Sequence, residues 1–345
     1  MCAQAVRSVR MPAEWARHEG CLMAWPYRSE LWGGQLAAAQ SEYAAVARAV
    51  AEFEPVLMVT APGTAAAVRL HFTDRATAHD IEVVELPLDD SWTRDSGPIF
   101  VHDDSGRRLG VDFRFNAWGS KHWPYDSDDR LAALVLDRLG IERVHSGLVL
   151  EGGAITVDGE GTLITTEQCL LHPNRNPRAD RAAIEAELAR TLGIEKVIWL
   201  PYGGLEDTET DGHVDGVAAF IAPGRVVVSL PDDARHPDYA RMRANLAVLE
   251  ATRDARGRAL DIVTLSQTAY GDADGERVEV GYLNFYLPNG GCVLPVAGQP
   301  QDAEAAELLA KAMPERKIVP VPTPTLAFGG GGVHCITQQI PTERR

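Results

Sequence analysis

The chain has no CxxC pair, no basic cluster and no apolar run approaching the roughly 20 residues that a membrane span requires. Each absence removes a class of function. Five cysteines (Cys2, Cys21, Cys169, Cys292 and Cys335) are an odd number without metal-ribbon or redox spacing, which suits a reducing compartment better than a disulfide framework. The 33 basic residues are outnumbered by 49 acidic ones, for a net charge of −16, so no nucleic acid partner is expected. The same charge favours cationic ligands, although acidity of this size also serves ordinary solubility. The opening MCAQAVRSVRMPAEW lacks the apolar core of a secretory signal, so the expected location is cytoplasmic and no membrane partner is expected. Residues 1–10 read as a disordered tail before the ordered segment that Met11 opens, and Met11 is itself a candidate start.

What remains is ordinary globular material, 45% hydrophobic and 24% charged. One-faced apolar patterns predict helices near 35–52, 127–139, 180–192, 238–254 and 302–313. Short β-type runs fall at 56–60, 81–86, 196–200, 225–230, 291–296 and 317–321, and DGEG turns a hairpin over 154–166. No Ser/Gly-rich or Pro-rich linker divides the chain, so residues 11–345 read as a single α/β domain. The recurrence of helix-bearing units allows a pseudosymmetric closed arrangement with loops around one centre. A doubly wound sheet competes, but no GxGxxG follows a strand and opens a helix.

Four segments carry candidate chemistry. In FGGGGVHCITQQIP, four glycines precede Cys335 without the GK[ST] of a phosphate loop. A cysteine inside a cell is most often a buried structural thiol, and the glycine run moves Cys335 toward a nucleophile. If VHCIT is extended, His334 points away from Cys335, and another histidine must serve as its base. His213 in DGHVDG is that candidate, because His213 and Asp215, two apart on a strand, share one face. Paired metal ligands are the alternative reading of HxD, but no further histidine or cysteine motif completes a metal site. DDSWTRDSGP places Asp89, Asp90, Trp92, Arg94 and Asp95 in a turn, where solvated acids are usual and a tryptophan is not. Glu151 ends an apolar run before two glycines, and can equally be a plain strand-ending acid. Together a thiol, an imidazole and several carboxylates suit thiolate attack on a planar guanidinium carbon held by acids.

These motifs resemble the agmatine deiminases, within the guanidino-group-modifying superfamily that includes bacterial-type peptidylarginine deiminases. The resemblance runs nearly end to end, through MPAEWARHEGCLMAWPYRSELW, DDSWTRDSGPIFV, FNAWG, LEGGAITVDGEGTLITTEQCLLHPNRNP, EDTETDGHVDG, YLNFYLPNGG and GGGGVHCITQQIP. It implies a five-fold pseudosymmetric α/β propeller (a pentein), no cofactor, no metal, and a homodimer. It also implies hydrolysis of agmatine to N-carbamoylputrescine and ammonia, a step toward putrescine, through an amidino-cysteine intermediate. By motif, Cys335 is the nucleophile, His213 the general acid and base, and Glu151 its orienting partner. Asp95 and Asp215 grip the guanidinium, while Glu209, Trp92, Asp89 and Trp118 contact the small cationic substrate. Gly216 after GHVD departs from the polar residue expected in this branch. The alternatives are deimination of free or peptidyl arginine, a papain-like hydrolase, whose local cysteine signature is missing, and a non-catalytic guanidine- or polyamine-binding protein. A substrate carboxylate would call for an arginine pair, whereas 111–123 offers only Arg114 and Lys121.

Overall fold

Wherever the sequence predicts a long helix, the computed structural model has one that joins two parallel strands, and this repeated connection organises the protein. Residues 8–73, 76–266 and 268–344 are described. Leu36–Ala51 carries the chain from His18–Ala24 to its parallel neighbour Val56–Thr60. Leu131–Leu139 does so between Arg108–Arg114 and Arg143–Val149, and Arg181–Leu192 between Thr162–Thr166 and Lys196–Leu200. Tyr239–Ala251 links Arg225–Ser229 to Asp261–Leu265, and Gln301–Ala312 links Gly291–Val296 to Lys317–Pro322. Parallel strands require such crossovers, since a tight hairpin cannot reverse direction twice.

The first strand of each parallel pair also takes an antiparallel partner on its other side. Ile99–Asp103, Thr156–Val157 and Ala218–Ala222 play this part for three of them. The Tyr286–Val293 bridge serves Gly291–Val296. For His18–Ala24 the partner is Gln338–Pro341, from the far end of the chain. The protein is therefore mixed α/β, built from small separate sheets.

Local chemistry explains where the elements stop. Asp180 caps Arg181–Leu192 by accepting from the Ala183 N–H at 2.8 Å, and Gly193 ends it with φ of 68°. Gly140 ends Leu131–Leu139 in the same left-handed way, with φ of 66°. The DGEG hairpin forms with Gly159 and Gly161 at φ of 74° and 104°. Its first strand starts at Thr156 rather than 154, because Gly152–Ala154 coils into a 3-10 turn that faces the site.

The tail expected over 1–10 lies outside the described residues for 1–7. Val9 and Arg10 are ordered as a short strand against Asp103 and His102. Arg10 also pairs with Glu195 on the neighbouring unit, which gives this segment a polar anchor. Cys21, Cys169, Cys292 and Cys335 are free and buried. No helix among the described residues is long and apolar enough to cross a membrane.

Candidate active site

Cys335 lies in a turn, not in an extended strand. The glycine run permits this: Gly330 has φ of 92°, and Gly331 has no room for a Cβ, which would sit 2.4 Å from Trp92 and 3.1 Å from the Cys335 Cβ. Asn284 completes the seat. Its Oδ1 accepts from the His334 N–H at 3.0 Å, and its Nδ2 stands 3.3 Å from the Cys335 sulfur.

His213 and Asp215 are not on a strand either. Asp211 and Gly212, at φ of 60° and 89°, turn the chain into a 3-10 segment, Val214–Gly216, with His213 at its start. The face-sharing expected from period two is therefore replaced by a turn, yet both side chains still reach one centre. A Cβ on Gly153 would stand 2.5 Å from His213 Nδ1, 2.9 Å from Asp95 Oδ1 and 3.0 Å from Asp215 Oδ2. Glycine is needed there for close approach, since these three groups crowd the point its side chain would fill. The same Asp215 oxygen is 3.7 Å from the Cys335 sulfur, which ties the thiol to the acids.

Asp95 is fixed on both oxygens. Oδ1 accepts from the Gly153 N–H at 2.9 Å and Oδ2 from the Trp118 indole at 3.0 Å. Trp118 reaches it through a run of left-handed residues, Ala117, Trp118, Gly119 and Ser120, with φ of 51°, 54°, 93° and 63°. Three of the four are not glycine, and such backbone persists only where its surroundings enforce it. Here Asn116 does so by accepting from the Gly119 N–H at 2.8 Å while donating to the Asn174 carbonyl at 2.9 Å.

Glu151 is fully buried, and its partner is Arg175 Nε at 2.7 Å. His213 Nε2 stands 4.0 Å from the other Glu151 oxygen, and Nδ1 4.0 Å from Asp95. The imidazole is thus enclosed by acids without a close hydrogen bond to either. Glu151, Cys169 and His213 have ligand atoms within 4.8 Å of one another and could hold a metal ion, but the Arg175 guanidinium already supplies a positive charge to Glu151.

Cys335 and Asp95 line a cavity of about 230 Å³ together with Trp92, Trp118, Glu209 and Asp90, among others, while His213, Asp215 and Glu151 lie outside its lining. Trp92 stacks on Trp32 at 5.8 Å and donates to Asp90 at 3.1 Å. Glu209 pairs with His122 at 2.9 Å. Asp89 is not a lining residue. Its carboxylate accepts from the Ser127 N–H at 2.6 Å, because Asp128 clasps the N–H groups of Asp89 and Asp90 and turns the second acid, not the first, toward the cavity. The expected substrate contact falls on Asp89 and the structure moves it to Asp90, because tandem acids carry no local signal of which one faces inward.

Burial and mutual charge set the protonation pattern. Burial, then the charges of Asp215 and Asp95, hold the Cys335 thiol well above its ordinary range. His213 is raised well above the usual histidine range: burial opposes this, and Asp95 and Cys169 overcome it. Asp95 is raised by burial. Asp215 is lowered despite burial, chiefly by its bond with His334. Asp90 is pushed up to about 6 by burial. These directions favour a neutral thiol and a protonated imidazole among crowded acids.

A thiol and a carboxylate on the cavity wall, with an imidazole and a second carboxylate beside them, define a centre able to grip a planar cation and attack its carbon. The chain belongs to the Porphyromonas-type peptidyl-arginine deiminase family, whose model matches residues 10–341. It is 44% identical to the agmatine deiminase of Stutzerimonas stutzeri (strain A1501), over 96% of this chain and 95% of that one. It is 43% identical to the agmatine deiminase of Pseudomonas aeruginosa (strain LESB58), over 97% and 96%. Among solved structures, the agmatine deiminase of Enterococcus faecalis superposes with a TM-score of 0.90 at 35% identity, over 98% and 97% of the two chains. The agmatine deiminase of C. jejuni with substrate bound gives 0.89 at 26%, over 100% and 99%.

Proposed function

We propose that the protein hydrolyses agmatine to N-carbamoylputrescine and ammonia, with Cys335 as nucleophile. The observation that carries this is the placement of the Cys335 sulfur 3.7 Å from Asp215, on the wall of a cavity that Asp95 also lines. The guanidinium binds between Asp95 and Asp215, and its charge offsets the repulsion that keeps Cys335 protonated, so the thiol gives its proton to solvent. The thiolate attacks the guanidinium carbon, and His213 gives its proton to the departing ammonia. The neutral imidazole then takes a proton from water, which attacks the amidino-cysteine carbon. Collapse expels the sulfur, the adduct's hydroxyl proton returns to it through solvent, and the ureido product leaves with Cys335 again a thiol and His213 again an imidazolium. Glu151 stabilises the imidazolium by charge, and Trp92, Trp118 and Glu209 form the walls of the channel.

The far end of the cavity supports agmatine over arginine. Among the described residues, its lining includes Asp90 and Glu209 and no arginine or lysine, so an ammonium is matched while a carboxylate would stay unpaired. Ammonia release from agmatine, free arginine and a peptidyl-arginine substrate tests this directly. Agmatine is expected to be turned over with kcat/KM at least about a hundredfold above arginine. Equal rates would refute the assignment. A guanidine-binding protein would bind agmatine without releasing ammonia, with or without Cys335→Ala.

The repeated strand and helix connections, with the superpositions above, support reading residues 11–345 as a single five-fold propeller of the pentein type. The preceding residues add the short strand at Val9. A cytoplasmic homodimer remains our expectation, which sedimentation of the purified protein tests.

A further inference from the structure

The mechanism above leaves one buried histidine unused. His334 precedes the nucleophile, is 8% exposed, and bonds carboxylates with both ring nitrogens. Nδ1 is 2.9 Å from Asp215 Oδ2, and Nε2 is 3.0 Å from Glu14 Oε2. A neutral imidazole has one N–H, so it could donate to only one of these oxygens and would turn a lone pair toward the other. Two ionised acceptors are satisfied together only by the imidazolium.

The other groups around the ring fit that state. Arg94 stands 3.7 Å from Glu14 and donates to the His334 carbonyl at 3.3 Å, so Glu14 answers two cations. Asn284 holds the His334 N–H, and Cys335 follows in the same turn. The Asp215 oxygen that meets His334 is also the one nearest the sulfur. Beside Asp95 and a developing thiolate, an unassisted Asp215 would be driven to take up a proton, and a protonated carboxyl is a poor acceptor for a guanidinium.

We propose that His334 is a positioning residue: donating from both ring nitrogens, it fixes Asp215 as an ionised acceptor for the substrate guanidinium, with Glu14 as its counter-charge. The inference rests on the reading of Asp215 as a guanidinium acceptor. The directions of the shifts agree, His334 raised against burial by Glu14 and Asp215, and Asp215 lowered. His334 differs in role from His213, since its proton stays in place through the cycle while that of His213 moves. The extended reading of VHCIT, which set His334 aside, fails because the segment is a turn.

The test has two arms. In the resting protein, labelled with ¹⁵N-histidine, His334 is expected to give an imidazolium signature at pH 7, identified by its loss in His334→Gln. Glu14→Gln should shift its titration to lower pH. In the Cys335→Ser background, calorimetry with agmatine should show at least about tenfold weaker binding when His334→Gln is added, and a smaller loss with Glu14→Gln. In the otherwise native enzyme the same fold-change should appear in KM. A neutral His334 at pH 7 overturns the proposal, and so does agmatine affinity within twofold of the parent. If His334→Gln does not fold, Glu14→Gln decides: an unmoved titration or unchanged affinity overturns it. Should the unaltered protein release no ammonia from agmatine, the substrate assignment fails, and the resonance alone then upholds or overturns the charge state assigned to His334.

Discussion

Gly153 occupies the point where a side chain would meet His213, Asp95 and Asp215 at once. It carries no positive φ, so the demand is purely spatial: any side chain would displace His213, Asp95 or Asp215. Gly153→Ala is therefore expected to lower kcat by at least about a hundredfold, since an ångström-scale misplacement of reacting groups costs that much. Circular dichroism should remain native. Cys335 gives a second residue-level expectation. Because burial and two acids raise its thiol, the thiolate population in the free protein grows only above the ordinary midpoint of about 8.5. Iodoacetamide modification, followed as the mass of the Cys335 peptide, should keep accelerating above about pH 9. A plateau below pH 8 would contradict the neutral resting thiol.

At the scale of elements, the loops that build the site are tied by two cationic side chains, buried Arg175 and exposed Lys121, instead of by regular hydrogen bonding. Arg175, in the HPNRNP segment, donates to Glu151 at 2.7 Å and to the Thr210 carbonyl at 2.8 Å, and also pairs with Asp211. Lys121 holds the same loop through the Glu209 carbonyl at 2.8 Å and Asp211 at 2.7 Å. Arg175→Ala strands a buried Glu151, for which a loss of about 3–5 kcal/mol in urea denaturation is expected. Arg175→Lys should recover only part of this, because an ammonium lacks the planar fork. Three of the five long helices were legible in the sequence to within a residue, whereas the second begins four residues later and the fourth ends three residues earlier than its apolar pattern, and the parallel strands His18–Ala24, Arg108–Arg114, Arg143–Val149 and Asp261–Leu265 were not anticipated. Val56–Thr60 and Lys196–Leu200 match their expected ranges. The turns were not legible. HxD reads as strand by spacing, and only the left-handed Asp211 and Gly212 make it a 3-10 segment. Likewise, nothing local in DDSW distinguishes Asp89 from Asp90, because the choice is made by Asp128, distant in sequence.

For the whole molecule, the acids that serve the site also shape its response to pH. Glu14 is held down at about 2 by His334 and Arg94 in spite of burial. Its folded midpoint lies below the unfolded value of about 4.3, so its contribution is complete above the latter and disappears as pH falls toward the former. Urea midpoints should therefore decline between about pH 5 and pH 2, and Glu14→Gln should flatten that decline. The convergence of Cys335, His213, Asp95 and Asp215 was legible only as a set of compatible chemistries. Their proximity depends on the way separate strand and helix units bring distant loops together. Glu14 and Asn284 were hidden because an acid after MPA and an amide in YLNF carry no signature of their own.

The antiparallel pairing of Gln338–Pro341 with His18–Ala24 has one further consequence. Arg344 donates to the Gly106 carbonyl at 2.8 Å, and Val9 pairs with Asp103, so both described ends meet over a single hairpin turn. None of those residues borders the substrate cavity. The architecture thus suits circular permutation: joined across this seam and reopened at the exposed Asp274–Gly275 turn, the gene would encode the same strand and helix units in a new linear order.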